Sequence, residues 1–561
     1  MKKRILLLLL ISGAFFLDQI TAQRYLQPIF DRSEITVQKN VPYGVNATIL
    51  FQSVAGEAIP QQLVMDVYRP ASDTETNRPL VLYFHTGNFL PFKNPDPTSP
   101  LQNGFNGSCG GQTNDSAAVE ICTRLAQMGY VAASVDHRLG WLPLSTIPEV
   151  RRFTLINAAY RGVQDASTAI RFFRQNVDVG GNTFGVDPTK IVLFGQGTGG
   201  YISLNMAMLD EYSKIPTATN GKFVWNPRTV TGNPCSPDAI IPMVIEQVNG
   251  NLVGTTVGVS PITDPMNNCA LIKLDTLCYP NWPGYSSDFN LAVNLGGALG
   301  DSSWIDNAMV NPQPALLSFQ VPNDENAPYT SGTLTVPGQD PPLQVVEVQG
   351  AYLVQELMEA AGQQDALLAA DNNYLDLQVN QIEAFANSPA GLQDYKAGLY
   401  PFLMPPDTVN PMEPLSNAPW EWTSFPGLPP IPGVTSGFQC NTDKSTAIAY
   451  IDTIIRFYAP RACFALGLQS CVDQILSSKE PLAKNIDVLA APNPATDEVR
   501  LSSSEEILAI QVIDKIGRLV RNVNSVNNTN YTLRRDGLQS GLYVVKLSFK
   551  EGFVTKMVSF N

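Results

Sequence analysis

Apolar and polar positions along this chain fall into blocks with two periods. The runs "QLVMDVYRP" (62–70), "PLVLYFHTG" (79–87) and "YVAASVDHRLG" (130–140) have the length and branched, aromatic content of strands. Over 158–176 the period changes: Val163, Ala166, Ile170 and Phe173 recur at three- and four-residue steps, which predicts a helix with one apolar face. Strands follow at 191–194, 289–297 and 314–324, and helices at 349–362 and 444–459. Strands separated by helices predict a mostly parallel, doubly wound sheet with helices on both faces. Segments rich in Pro, Gly and Asn (88–115, 215–285, 401–440) interrupt the pattern and read as loop or lid insertions. Around 476–491 the chain changes to a linker. The rest alternates as short hairpin strands, as at Ile510-Val512 and Val544-Lys546, with Gly517, Gly541 and Gly552 at turns. That pattern predicts a small antiparallel β-sandwich.

The N-terminal residues carry a basic stretch (Lys2, Lys3, Arg4), an apolar run of 12 residues (Ile5–Phe16) and a small residue at Ala22. This is the layout of a signal peptide over 1–22, and the apolar run falls short of the roughly 20 residues a membrane span needs. The expected domains are therefore 23–475, a linker at 476–491 and a C-terminal unit at 492–561. Export suits the 8 cysteines, which are expected to pair as disulfides, with Cys109/Cys122, Cys269/Cys278 and Cys463/Cys471 the natural guesses by proximity. With no C-x-x-C pair and only 2 histidines, His85 and His137, no metal or other cofactor is expected. Net charge is −14. Residues from 485 onward hold 8 of the 50 acids and 9 of the 36 bases, so the surplus of acid lies in the main domain. Nucleic acid and anionic membranes are poor partners for such a surface.

Candidate chemistry centres on "IVLFGQGTGG" (191–200), an apolar strand that breaks into glycines and restarts as a helix. This is the outline of a nucleophile elbow, G-x-S-x-G, in which a serine sits on a sharp strand-to-helix turn. Here the five positions are Gly195, Gln196, Gly197, Thr198 and Gly199, so the nucleophile position is a glycine.

Four motifs in one order resemble the α/β-hydrolase fold in its secreted carboxylesterase/lipase-like branch, over roughly 60–465. "YFHTGNF" stands at the oxyanion motif, "SVDHRLG" at the strand ending in Y-R-L, and the 162–200 segment at the helix, turn and elbow. "LLSFQVPNDENAPY" stands at the strand and loop bearing the triad acid. The resemblance places the acid at Asp324 and oxyanion donors at the backbone N–H groups of Gly87, Asn88 and Thr198, with Thr86 replacing a usual glycine. In this fold the histidine follows the acid, and no histidine lies downstream of Asp324. Loss of serine or histidine alone costs a serine protease on the order of 10⁶ in rate. A Thr198/His85 pair is the conceivable substitute; its bland alternative is a helix-start threonine and a structural histidine. Trp420 and Trp422 either pack a lid or line a ligand groove.

The last residues resemble the C-terminal sorting domain of type IX secretion cargo. The match is carried by Pro492, Asn493 and Pro494 in "APNPATDEVRL", by Gly517 in the central hairpin, and by Gly541, Tyr543 and Lys556 in the final strands. The resemblance implies export to the periplasm and then, through the type IX machinery, release or attachment at the outer cell surface. Three readings stay open: an inactive hydrolase that binds a small-molecule or carbohydrate ligand, an active esterase with a non-standard site, and a structural surface component.

Overall fold

The computed structural model describes residues 24–91, 111–324, 326–336, 341–373, 396–402, 420, 422, 444–472, 486–514, 519–550 and 552–561. The proposed signal peptide, most of the linker, Cys109, Cys440 and Gly517 lie outside these residues. The chain divides into two compact units, Met1–Gln474 and Ile475–Asn561.

The first unit is built on an eight-stranded sheet. Its strands are β1 (Ile35–Thr48), β2 (Ile59–Pro70), β3 (Arg78–Phe84), β4 (Val131–Val135), β5 (Val186–Gln196), β6 (Leu291–Leu295), β7 (Ala315–Gln320) and β8 (Leu399–Pro401). Their spatial order is β1-β2-β4-β3-β5-β6-β7-β8. Both pairings of β2, to β1 and to β4, are antiparallel, and the other pairings are parallel. This is the mixed, doubly wound sheet of the α/β-hydrolase fold. Every residue of β3, β4, β6 and β7 is buried, which explains their near-continuous apolar sequence: central parallel strands are covered on both faces.

The helices that position the site are α1 (Ser116–Gln127), α2 (Pro148–Asp178), α3 (Thr198–Met208), α4 (Ala351–Ala360) and α5 (Lys444–Ala465). Helix α2 begins ten residues before the apolar period suggests. Its first turns bury polar side chains that serve distant carbonyls: Arg151 reaches Gln344 O and Asn157 reaches Met243 O. Polar residues on the packed face hide the helical period from a reading based on hydrophobicity. Edge strand β1 was equally hidden, because residues 36–40 are exposed and the stretch carries Lys, Asn, Gly and Pro. The 215–285 insertion contains a two-stranded hairpin, Gly258–Asp264 with Ala270–Cys278.

The cysteine pairing corrects two of the three sequence guesses. Cys463 bonds Cys471 as expected, but Cys269 bonds Cys235, and Cys122 and Cys278 are buried free thiols. Cys122 lies on the packed face of α1 and Cys278 at the end of its hairpin, each held in the core instead of facing a partner loop. The Cys235–Cys269 link joins two loops of the insertion across 34 residues, a long closure that sequence proximity does not reveal.

The second unit is a five-stranded antiparallel sheet of β9 (Val488–Ala491), β10 (Glu498–Asp514), β11 (Leu519–Arg534), β12 (Gly541–Phe549) and β13 (Gly552–Phe560). All five are hydrogen-bonded into one sheet around a core that includes Val499, Leu501, Val512, Val545 and Val558. No described helix of the protein is long and apolar enough to cross a membrane.

Candidate functional site

Strand β5 ends at Gln196 and α3 starts at Thr198, so a single residue, Gly197, turns the chain. It does so at φ 54° and ψ −115°, a conformation that L side chains adopt only under strain. The flanking glycines are there for close approach. A Cβ on Gly195 would fall into the Gly199 carbonyl, and one on Gly199 into the Phe84 carbonyl. The turn is pinned by Gly197 N donating to Leu295 O at 2.7 Å, and Tyr201 N closes the first helical turn on Gly197 O at 3.0 Å. Gln196 points into the core, where its Oε1 accepts from the Tyr83 hydroxyl.

The space beside Gly197 is filled. A Cβ built there would collide with the Thr86 hydroxyl and lie 2.8 Å from Thr86 Cβ. The residue that replaces a glycine in the oxyanion motif therefore takes the volume that a side chain at the elbow would need. Next to it the backbone is unusual for three residues: Gly87, Asn88 and Phe89 have φ of 124°, 56° and 53°. This turn is held by Trp141 Nε1 donating to Asn88 O at 2.8 Å and Gly140 N to Phe89 O at 2.7 Å.

The two histidine rings lie 4.4 Å apart, tilted by 32°, and both are fully buried. His85 Nδ1 meets Thr86 O at 2.6 Å and its Nε2 lies 3.5 Å from Asp136 Oδ1. Burial lowers the His85 pKa, but the hydrogen bond and charge of Asp136, the charge of Asp115 and the Thr86 carbonyl outweigh it, so the net shift is upward. The His137 imidazole has no hydrogen-bond partner among the described residues, and burial together with His85 holds its pKa well below the usual value. Thr198 Oγ1 faces the backbone carbonyl of His85 at 3.5 Å, with the imidazole engaged elsewhere. The structure thus places Thr198 and His85 close together without joining hydroxyl to ring. Beneath the loop after β4, Arg138 and Asp165 form a fully buried pair, with Nη2 to Oδ1 at 2.9 Å and Arg138 N to Oδ2 at 2.8 Å.

Asp324 lies in the turn after β7. Its Oδ1 accepts from Asn326 N at 2.7 Å and Ala327 N at 3.1 Å, so one oxygen organises its own loop. Its Oδ2 and the Trp420 indole approach the same point: a Cβ on Gly296 would lie 3.4 Å from Oδ2 and 3.9 Å from Trp420 Cζ2. Trp420 is buried against Phe402, which directly follows β8, and its Nε1 has no hydrogen-bond partner among the described residues. The segment after the last strand thus brings an indole to the side of the acid. The neighbourhood of Trp420 with Asp324 has no local signal in the sequence, because the two are far apart along the chain. Among the described residues no group of His, Cys, Asp and Glu is arranged to hold a metal.

In the second unit, the Asn493 side chain clips onto β13, donating to Met557 O at 2.7 Å and accepting from Ser559 N at 2.8 Å. Pro492 and Pro494 flank it, and Gly541 opens β12 at φ 148°. The Tyr543 hydroxyl donates to Gln539 O at 2.8 Å, and Lys556 pairs with Val545 in the ladder. Residues 490–560 match the family described as the secretion system C-terminal sorting domain. The chain carries a secretion sorting domain at its C-terminus. That tail implies contact with the type IX secretion machinery and delivery to the outer surface or beyond.

A search of curated proteins found no match. Among solved structures, the first unit is similar to Thermogutta terrifontis esterase 2 phosphorylated by paraoxon, at 18% identity and TM-score 0.26, covering 59% of this chain and 80% of that one. A truncated carbohydrate esterase from gut microbiota matches at 14% identity and TM-score 0.28, covering 60% and 87%. Esterase B from Lactobacillus rhamnosis matches at 13% identity and TM-score 0.23, covering 58% and 76%.

Proposed function

We propose that the first unit is an exported binding protein that keeps the hydrolase scaffold and performs no ester hydrolysis, while the tail serves its delivery. The observation that carries this reading is Thr86 filling the space beside Gly197. An acyl-transfer site needs a nucleophile whose proton passes to a base. At the elbow the side chain is missing, its volume is occupied, and the segment after β8 brings Trp420 rather than a histidine to Asp324. The strained backbone at 87–89 and the N-terminus of α3 supply oriented N–H dipoles that suit a polar, uncharged or anionic group of a small-molecule or carbohydrate ligand.

The test is a panel of p-nitrophenyl esters of increasing acyl length, together with thermal-shift screening of the released protein. Turnover is expected at the buffer rate for every ester, with at least one ligand raising Tm, as binding to the native state requires. Ester turnover well above buffer that disappears in Thr86→Ala or Thr198→Ala would overturn the proposal.

A further inference from the structure

A groove of about 630 Å³ lies away from the elbow, between the β1–β2 edge of the sheet and the segment 279–282. Its volume falls within the roughly 300–1,000 Å³ of ligand sites. Phe172, Tyr279 and Trp282 supply aromatic walls, and Pro42, Pro60 and Pro280 supply flat apolar surface. Among the described residues that line it none is charged, in a protein of net charge −14.

The aromatic segment is held rigidly. Tyr279 N donates to Asn46 Oδ1 at 2.9 Å. The Asn281 amide pairs with edge strand β1 as a strand would, donating to Val45 O at 2.9 Å and accepting from Val45 N at 3.1 Å. Buried Arg171 donates from Nε to Asn281 O at 3.1 Å. Trp282 sits at φ 52°, a left-handed backbone that is costly for a bulky side chain, and its Nε1 donates to Tyr43 O at 2.6 Å. Strain of this kind persists only where the surroundings enforce it, and it concentrates at binding sites. The result is a segment whose backbone and Trp282 ring are fixed before any ligand arrives, which lowers the ordering cost of binding.

The polar groups left over decide what fits. The Trp282 and Asn281 donors are consumed within the protein. The Gln62 side-chain amide and the Tyr279 hydroxyl make no hydrogen bond among the described residues, and each both donates and accepts. A proline-rich peptide presents only carbonyl acceptors along its backbone and would leave the acceptor atoms of both groups unused. A sugar presents hydroxyls that donate and accept, beside C–H faces that lie flat on aromatic rings. We infer that this groove is a binding site for a neutral oligosaccharide, stacked on Tyr279 and Trp282 and hydrogen-bonded by Gln62 and Tyr279.

The experiment titrates the secreted full-length protein with cello-, xylo-, manno- and laminari-hexaoses and with a decaproline peptide, by calorimetry and tryptophan fluorescence. At least one hexaose is expected to bind saturably, with affinity falling tenfold or more in Tyr279→Ala and measurably in Gln62→Ala. Neither side chain clamps the segment, so both variants are expected to fold, with unchanged Tm as the control. Three results would each overturn the inference: no hexaose binding, binding of decaproline alone, or hexaose binding unchanged in both variants.

Discussion

The Thr86 hydroxyl occupies the space that a side chain on Gly197 would need, with Thr86 Cβ 2.8 Å from where that side chain would begin. These residues follow β3 and β5, neighbouring strands whose ends deliver the 86–89 turn and the elbow side by side. Glycine at the elbow leaves room for the threonine beside it. This leads to a first prediction. Gly197→Ser is expected to destabilise the protein by about 2–6 kcal/mol, from adverse torsions of roughly 1–3 kcal/mol and overpacking of roughly 1–3 kcal/mol. Adding Thr86→Gly should recover the overpacking part. Urea denaturation of wild type, single and double variants reads both, and a single variant as stable as wild type would refute the arrangement.

Buried His137 makes stability depend on pH in a definite direction. Its pKa is below the unfolded value of about 6.5, so as pH falls below 6.5 the unfolded chain takes up a proton that the native state refuses. Native stability then falls with acid. His85, shifted upward beside Asp136 and Asp115, contributes with the opposite sign: its stabilisation is present below 6.5 and lost as pH rises through its folded pKa. His137→Phe should remove only the first effect. Between pH 7 and 5 the variant is expected to lose less stability than wild type, by up to about 1.4 kcal/mol per pH unit. Parallel pH profiles for the two proteins would contradict this.

The Arg138–Asp165 pair has both side chains wholly buried. Burial pushes the Asp165 carboxyl pKa upward, while Arg138 opposes it. Asp165→Asn leaves the guanidinium without its counter-charge and is expected to cost about 3–5 kcal/mol, whereas replacing both partners with apolar residues should cost less. Denaturation midpoints of both single variants and of the double variant decide the matter; a double-variant loss equal to the sum of the two single losses would mean that the pair acts as two independent residues.

Cysteine reactivity should follow burial and pairing. Cys122 and Cys278 are free and buried, and burial raises the Cys122 pKa strongly. Alkylation of native protein should leave both unlabelled. In urea without reductant both should be labelled, while the disulfide-bonded Cys235, Cys269, Cys463 and Cys471 should not. Peptide mapping by mass spectrometry checks this, and a Cys269-containing peptide linked to Cys278 would refute the pairing.

Removing residues 490–561 should leave a folded first unit retained in the periplasm, since that stretch covers the sorting-domain match. Asn493→Ala, which releases the clip onto β13, should lower the thermal stability of the second unit by about 1 kcal/mol. Fractionation of cells expressing the truncation is the measurement, and normal appearance outside the cell would show that the tail is dispensable for export.

The sequence by itself determined the periodic elements, the elbow and the tail. Buried parallel strands must be apolar throughout, a turn at φ 54° favours glycine, and the sorting motif is contiguous, so each leaves a local signature. It also determined that Gly197 has no side chain and that no histidine follows Asp324. What it left hidden shares one cause: the partners are far apart in the chain. Edge strand β1 and the first turns of α2 carry polar residues whose hydrogen bonds or exposure make sense only beside their neighbours. The Cys235–Cys269 bond depends on how an insertion folds back. Thr86 beside Gly197, Trp420 beside Asp324 and the clamp of Asn281 on Val45 each join segments from different parts of the sheet, and only sheet order and loop closure bring them into contact.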